Sequence, residues 1–121
     1  MMGFWIFMVI MDLMIPFIMI VLGKIFLNNP PKEINQIYGY RTGRSMKNKD
    51  TWDFAHRYIG KIWLRDGLVL LPVSLGIMLL VLGKNQDTVG TVGGILCFAQ
   101  MVPLIGAIFP TERALKKEFG I

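Results

Sequence analysis

Three stretches of this 121-residue chain are almost free of charge, and each is about as long as a bilayer's hydrocarbon core is thick. They run from about Gly3 to Leu27, from Gly67 to Gly83 and from about Thr88 to Pro110. A helix rises 1.5 Å per residue, so roughly 20 apolar residues cross the ~30 Å core. The middle block is at the lower limit, and the helix preceding it is expected to run on into it, lending a turn from Trp63. A soluble domain of this size buries too small a share of its surface to hide three such blocks. The fold class expected is therefore an all-α integral membrane protein, a single membrane domain over residues 1–121. The first block is not read as a cleaved signal peptide. No Lys or Arg precedes it, and Asn28-Asn29-Pro30-Pro31 follows it in place of a small-residue cleavage site.

Charge then sets an orientation. The chain carries 13 Lys+Arg against 8 Asp+Glu, a net +5. Lys32, Arg41, Arg44, Lys47, Lys49, Arg57, Lys61 and Arg65 lie between the first and second spans. Arg113, Lys116 and Lys117 lie in the tail, and the short link Lys84-Asn85-Gln86-Asp87 offers a single Lys. By the positive-inside rule, residues 28–66 and the tail 111–121 are cytoplasmic, and the N-terminus and the hairpin are outside. The location this fits is a plasma membrane crossed several times. Lipid headgroups supply the counter-charge, and no soluble scaffold remains for nucleic-acid binding. Cys97, the sole cysteine, excludes an internal disulfide and reads as a small apolar packing residue.

Residues 28–66 hold most of the polar information. Pro30-Pro31 forces an extended exit from the first span. The Gly, Asn and Ser content that follows predicts a structured loop, with Tyr38 and Tyr40 suited to the headgroup layer. Asp50 is expected to cap a helix from Thr51. There Trp52, Ala55, Ile59, Ile62 and Trp63 form one apolar face, and Asp53, Arg57, Lys61 and Arg65 form a charged one. This pattern fits an amphipathic helix lying in the interface or packing on the cytoplasmic ends of the spans.

The string Asn35-x-x-Tyr38-Gly39-Tyr40-Arg41-Thr42-x-x-Ser45-Met46-x-Asn48-x-x-x-Trp52-x-x-Ala55-His56 resembles the signature of the SdpI membrane-protein family. The closing Pro110-Thr111-Glu112-x-Ala114-Leu115-Lys116 fits as well, so the likeness covers roughly residues 28–118. The chain looks like a short, three-span version of a longer, duplicated arrangement. The resemblance implies a role akin to that of bacterial immunity proteins against a secreted peptide toxin, with the loop as a folded cap that crosslinks the three helix ends. The partner- or anion-binding residues it points to are Asn35, Gly39, Arg41, Thr42, Arg44, Ser45, Asn48, Trp52 and His56.

Elsewhere, Asp12 is an acid inside a span, which costs about 2.5–3.5 kcal/mol on insertion scales and marks a functional candidate. Pro16, four residues on, leaves the Asp12 carbonyl without a helical partner, so a kink with local hydration is expected. Arg41 and Arg44 sit among glycines, where guanidinium forks suit a phosphate or carboxylate. Asp53 and His56 are spaced as a ligand pair, but without a second His they fall short of a zinc set, and no metal or cofactor is expected. Gly90-x-x-x-Gly94 allows close helix approach within the chain or between copies, a route to a homo-oligomer. No catalytic constellation is present, so an enzyme is not expected. Two readings follow. One is a non-enzymatic membrane protein that binds an envelope-active peptide or a cytoplasmic partner. The other is a small oligomeric transporter or channel subunit whose interior is lined by Asp12 and Pro16.

Overall fold

In the computed structural model, which describes residues 2–35 and 37–121, the chain forms four helices: α1 (Met2–Asn28), α2 (Lys49–Leu80), α3 (Gln86–Gly106) and α4 (Ile108–Phe119). No strand occurs among the described residues. Three helical stretches are long and apolar enough to cross a membrane: α1, α2 and the nearly continuous α3–α4 unit, Gln86–Phe119. They pack up, down and up. One end carries the 29–48 loop and α4 (the loop end), and the other carries the turn after α2 (the hairpin end). Large side chains such as Phe7, Phe17, Leu80, Phe98, Val102 and Phe109 point outward, as lipid-facing residues do.

The amphipathic segment is the first half of α2 itself. At 32 residues and about 48 Å, α2 runs without a break from the charged residues into the apolar ones, so that segment does not form a separate helix. Asn48, not Asp50, is the N-cap. Its side chain accepts from Thr51 N–H at 2.9 Å, and the Thr51 hydroxyl accepts from Asn48 N–H at 3.1 Å. This reciprocal pair satisfies two end donors where Asp50 would satisfy one, which moves the start of the helix upstream. Asp50 is left in the first turn, where a negative charge suits the helix dipole.

Backbone contact between α1 and α2 positions the rest. A Cβ on Gly60 would stand 2.7 Å from the Gly23 carbonyl oxygen and 2.8 Å from Leu27 N, and one on Gly67 would stand 2.9 Å from the Pro16 carbonyl oxygen. The predicted close-approach pair on α3 is placed otherwise. Gly94 faces open space and Gly90 touches only Phe4, while Gly93, between them, lies against Met8 and Asp12.

Near the loop end the third span breaks at Ala107. Pro110 has no N–H for the Gly106 carbonyl and its ring crowds that turn, so α4 starts a new helix. The segment expected to be a tail is therefore mostly helical. Its Leu115 joins Phe26, Tyr40, Ala55, Ile59 and Ala107 in one buried cluster. A second cluster, Met78, Val81, Val89 and Leu96, closes the hairpin end.

Candidate functional site

The loop end is built around His56. One turn into α2, Trp52 and His56 are both fully buried. The indole N–H of Trp52 donates to the Pro31 carbonyl at 2.8 Å, pinning the chain where it leaves α1. The His56 ring stacks edge-on against Phe26 of α1 at 4.9 Å. Its Nδ1 lies 2.7 Å from the Trp52 carbonyl, which makes Nδ1 the protonated nitrogen, and Nε2 accepts from the Tyr40 amide at 2.7 Å. Burial holds this imidazole below its ordinary value, outweighing the Trp52 carbonyl and Asp53, which act the other way. Gly39 makes the approach feasible. It has φ +118, and a Cβ there would stand 2.6 Å from His56 Nε2.

Tyr40 turns the loop back toward α4. Its ring is buried and its hydroxyl donates to Glu112 Oε2 at 2.6 Å, so the headgroup position expected for it does not hold; Tyr38 is the exposed one of the two. Burial and the Glu112 charge both push the Tyr40 phenol above its ordinary range. Glu112 also accepts from the Thr42 hydroxyl at 2.8 Å and from Arg44 Nη1 at 3.3 Å. Arg44 Nε in turn reaches the Ile121 carbonyl. The buried Ser45 hydroxyl donates to the Tyr40 carbonyl and accepts from Thr42 N–H, and Thr51 Oγ1 donates to the Ser45 carbonyl. Asn35 folds the start of the loop, its side-chain oxygen accepting from Ile37 and Tyr38 N–H. Arg57 covers the last turn of α1 by donating to the Leu27 carbonyl.

Of the residues singled out from the sequence, Gly39, Thr42, Arg44, Ser45, Asn48, Trp52 and His56 thus come together as one hydrogen-bonded cap, and Asn35 shapes its entrance. Arg41 stands apart, exposed and without an ion pair among the described residues. It does not form a two-arginine fork with Arg44, whose guanidinium is taken by Glu112. Asp53 pairs with Lys49 at 2.6 Å rather than with His56. Glu112 and Tyr40 are the residues that sequence reasoning missed as site members. The available signal was the Pro110-Thr111-Glu112 end of the motif, an acid just beyond an apolar block in a basic tail.

Asp12 lies in a different place, toward the hairpin end between all three spans, and is fully buried. The carbonyl freed by Pro16 is met by the Gln100 side chain of α3 at 2.7 Å, and α1 continues through the proline. Asp12, Arg41 and His56 do not converge on one cavity. Among the described residues no group of three or more His, Cys, Asp or Glu is placed to hold a metal ion.

Comparison with known proteins agrees with this picture. The SdpI/YfhL protein family matches residues 32–111, which take in the signature loop, α2, α3 and the start of α4 as far as the residue before Glu112. A Bacillus subtilis (strain 168) protein designated uncharacterized protein YfhL is 35% identical over 104 residues, covering 86% of this chain and 81% of that protein. No solved structure matches. With the signature residues assembled into one folded cap on three membrane-length helices, the chain belongs to the SdpI/YfhL family.

Proposed function

We propose that the chain is a non-enzymatic protein of the bacterial plasma membrane that confers protection against, or senses, an envelope-active peptide by binding. In this reading the N-terminus and hairpin face outward and the cap faces the cytoplasm. The observation that carries it is the cap. Its family-signature residues spend their hydrogen bonds on one another and on α4, so their task is to hold the three helix ends in fixed relation. The exposed charges around them, Arg41, Lys47, Arg57 and Arg113, form the surface left for anionic lipid or a cytoplasmic partner. Toxin recognition is assigned to the outward half of the bundle, and the cap transmits or stabilises the bound arrangement.

Expression in a strain sensitive to such a peptide is the test. Survival should rise with the wild-type chain and fall back with Glu112→Gln, and unchanged killing by the wild type would sink the immunity reading. The binding reading is preferred over the channel alternative on one observation. Asp12 and Pro16, which were to line a shared interior, are both buried within one chain. The open face at Gly94 remains our choice for contact between copies.

A further inference from the structure

Among the described residues, two buried hydrogen-bond acceptors toward the hairpin end have no partner, and they belong to residues tied to each other, since the Gln100 side chain donates to the Asp12 carbonyl. Asp12 is 0% exposed; its Oδ1 accepts from the Cys97 thiol at 2.8 Å, while Oδ2 accepts from nothing. Gln100 is also 0% exposed and donates through Nε2 to the Asp12 carbonyl and to Ser74 Oγ, both at 2.7 Å, leaving its own Oε1 unpartnered. Turning the amide over does not repair this, because Oε1 would then face the Asp12 carbonyl, oxygen against oxygen. The groups that meet Asp12 are Cys97, Gln100 and Gly93 from α3, with Ser74 of α2 joined through Gln100 and Met8 one turn back on α1. Among these only Cys97 titrates, and among the described residues no Lys, Arg or His pairs with Asp12.

A carboxylate without a counter-ion is among the costliest groups to bury, and two unmet acceptors add to that cost. One proton removes both defects. It cancels the charge and turns Oδ2 into an O–H donor, and Gln100, already bonded to the Asp12 carbonyl, carries an unpartnered acceptor in Oε1. A metal ion fits less well, since hard cations require six or so oxygens. There is also little room, because a Cβ on Gly93 would stand only 3.0 Å from Oδ2.

We propose that Asp12 is a proton-binding site inside the membrane, carrying its proton on Oδ2 at neutral pH and donating it in a hydrogen bond to Gln100 Oε1. Release of the proton to water leaves a charge that must be hydrated, and hydration requires α3 to part from α1 at Gly93. The site thereby couples protonation to the packing of the outer half of the bundle. This inference does not depend on the toxin reading.

Infrared spectroscopy of the full chain in lipid nanodiscs tests it. At neutral pH the wild type should show a protonated-carboxyl carbonyl band that shifts in D2O, is lost in Asp12→Asn and persists in Glu112→Gln. Asp12→Asn should keep its fold, because its amide N–H replaces the O–H donor. If that variant fails to insert, Gln100→Leu serves instead and should shift the band by removing its acceptor. Absence of the band at neutral pH in the wild type, its survival in Asp12→Asn, or an unmoved band in Gln100→Leu would overturn the proposal.

Discussion

At the scale of single residues, the cap depends on one glycine and one imidazole. Gly39 has a left-handed φ, and its Cα faces His56 Nε2 and the edge of Trp52. Gly39→Ala should therefore cost about 1–3 kcal/mol, from backbone strain and from displacement of the ring, and appear as a lowered Tm in detergent or nanodiscs. His56 gives a pH dependence of definite sign. Its folded value lies below the ordinary 6.5, so the unfolded chain binds the proton more readily. This group's contribution to stability is complete above pH 6.5 and is lost as pH falls from there toward the depressed value. The structural reason is that a protonated Nε2 would point an N–H at the Tyr40 N–H. A plot of Tm against pH should decline on that acid limb, and His56→Asn should flatten it.

At the scale of elements, what could be read from the chain differs from contact to contact. The spans were legible because apolar length is a local property, as was the continuation of a charged, amphipathic stretch into the second span. The α1–α2 contact was not, since it depends on which face of each helix meets the other. Gly60 and Gly67 are seven residues apart and so share a face, but the α1 positions they meet, Gly23 and Pro16, lie far away in the chain. The more conspicuous Gly90-x-x-x-Gly94 spacing leaves contact within the chain or between copies open, and the tightest intrachain approach on α3 is at Gly93. Gly60→Leu should separate α1 from α2 by forcing a side chain against the Gly23 carbonyl and Leu27 N. A loss of several degrees in Tm and greater hydrogen exchange along Leu27–Gly39 are the expected signs. Glu112 was hidden for a related reason. Its partners Tyr40, Thr42 and Arg44 lie about 70 residues upstream, and only the break at Ala107 aims α4 at them. Pro110→Ala, which restores a helical N–H, should straighten α3 into α4 and weaken the cap without loss of helix content by circular dichroism.

At the scale of the whole molecule, side chains repeatedly complete backbone groups that a helix end or a proline has left open. Trp63 donates to the Leu104 carbonyl before the break and Arg57 to the Leu27 carbonyl at the end of α1, while Trp5 adds a second donor to the Met78 carbonyl, which Val81 N–H also reaches, at the end of α2. Gln100 does the same for the Asp12 carbonyl opposite Pro16. In hydrocarbon such groups have no water to turn to, so each bond is worth more as a specifier of helix position than its net energy suggests. These ties join the three spans to one another.

The signature loop and α4 form one unit through Glu112. A double-mutant cycle on thermal stability tests it most directly, comparing Tyr40→Phe, Glu112→Gln and the pair with the wild type in nanodiscs. The hydroxyl–carboxylate bond is short and partly buried at 2.6 Å, so a coupling energy of about 1–2 kcal/mol is expected, with the second substitution costing much less once the first is made. Strictly additive effects of the two substitutions would contradict the account.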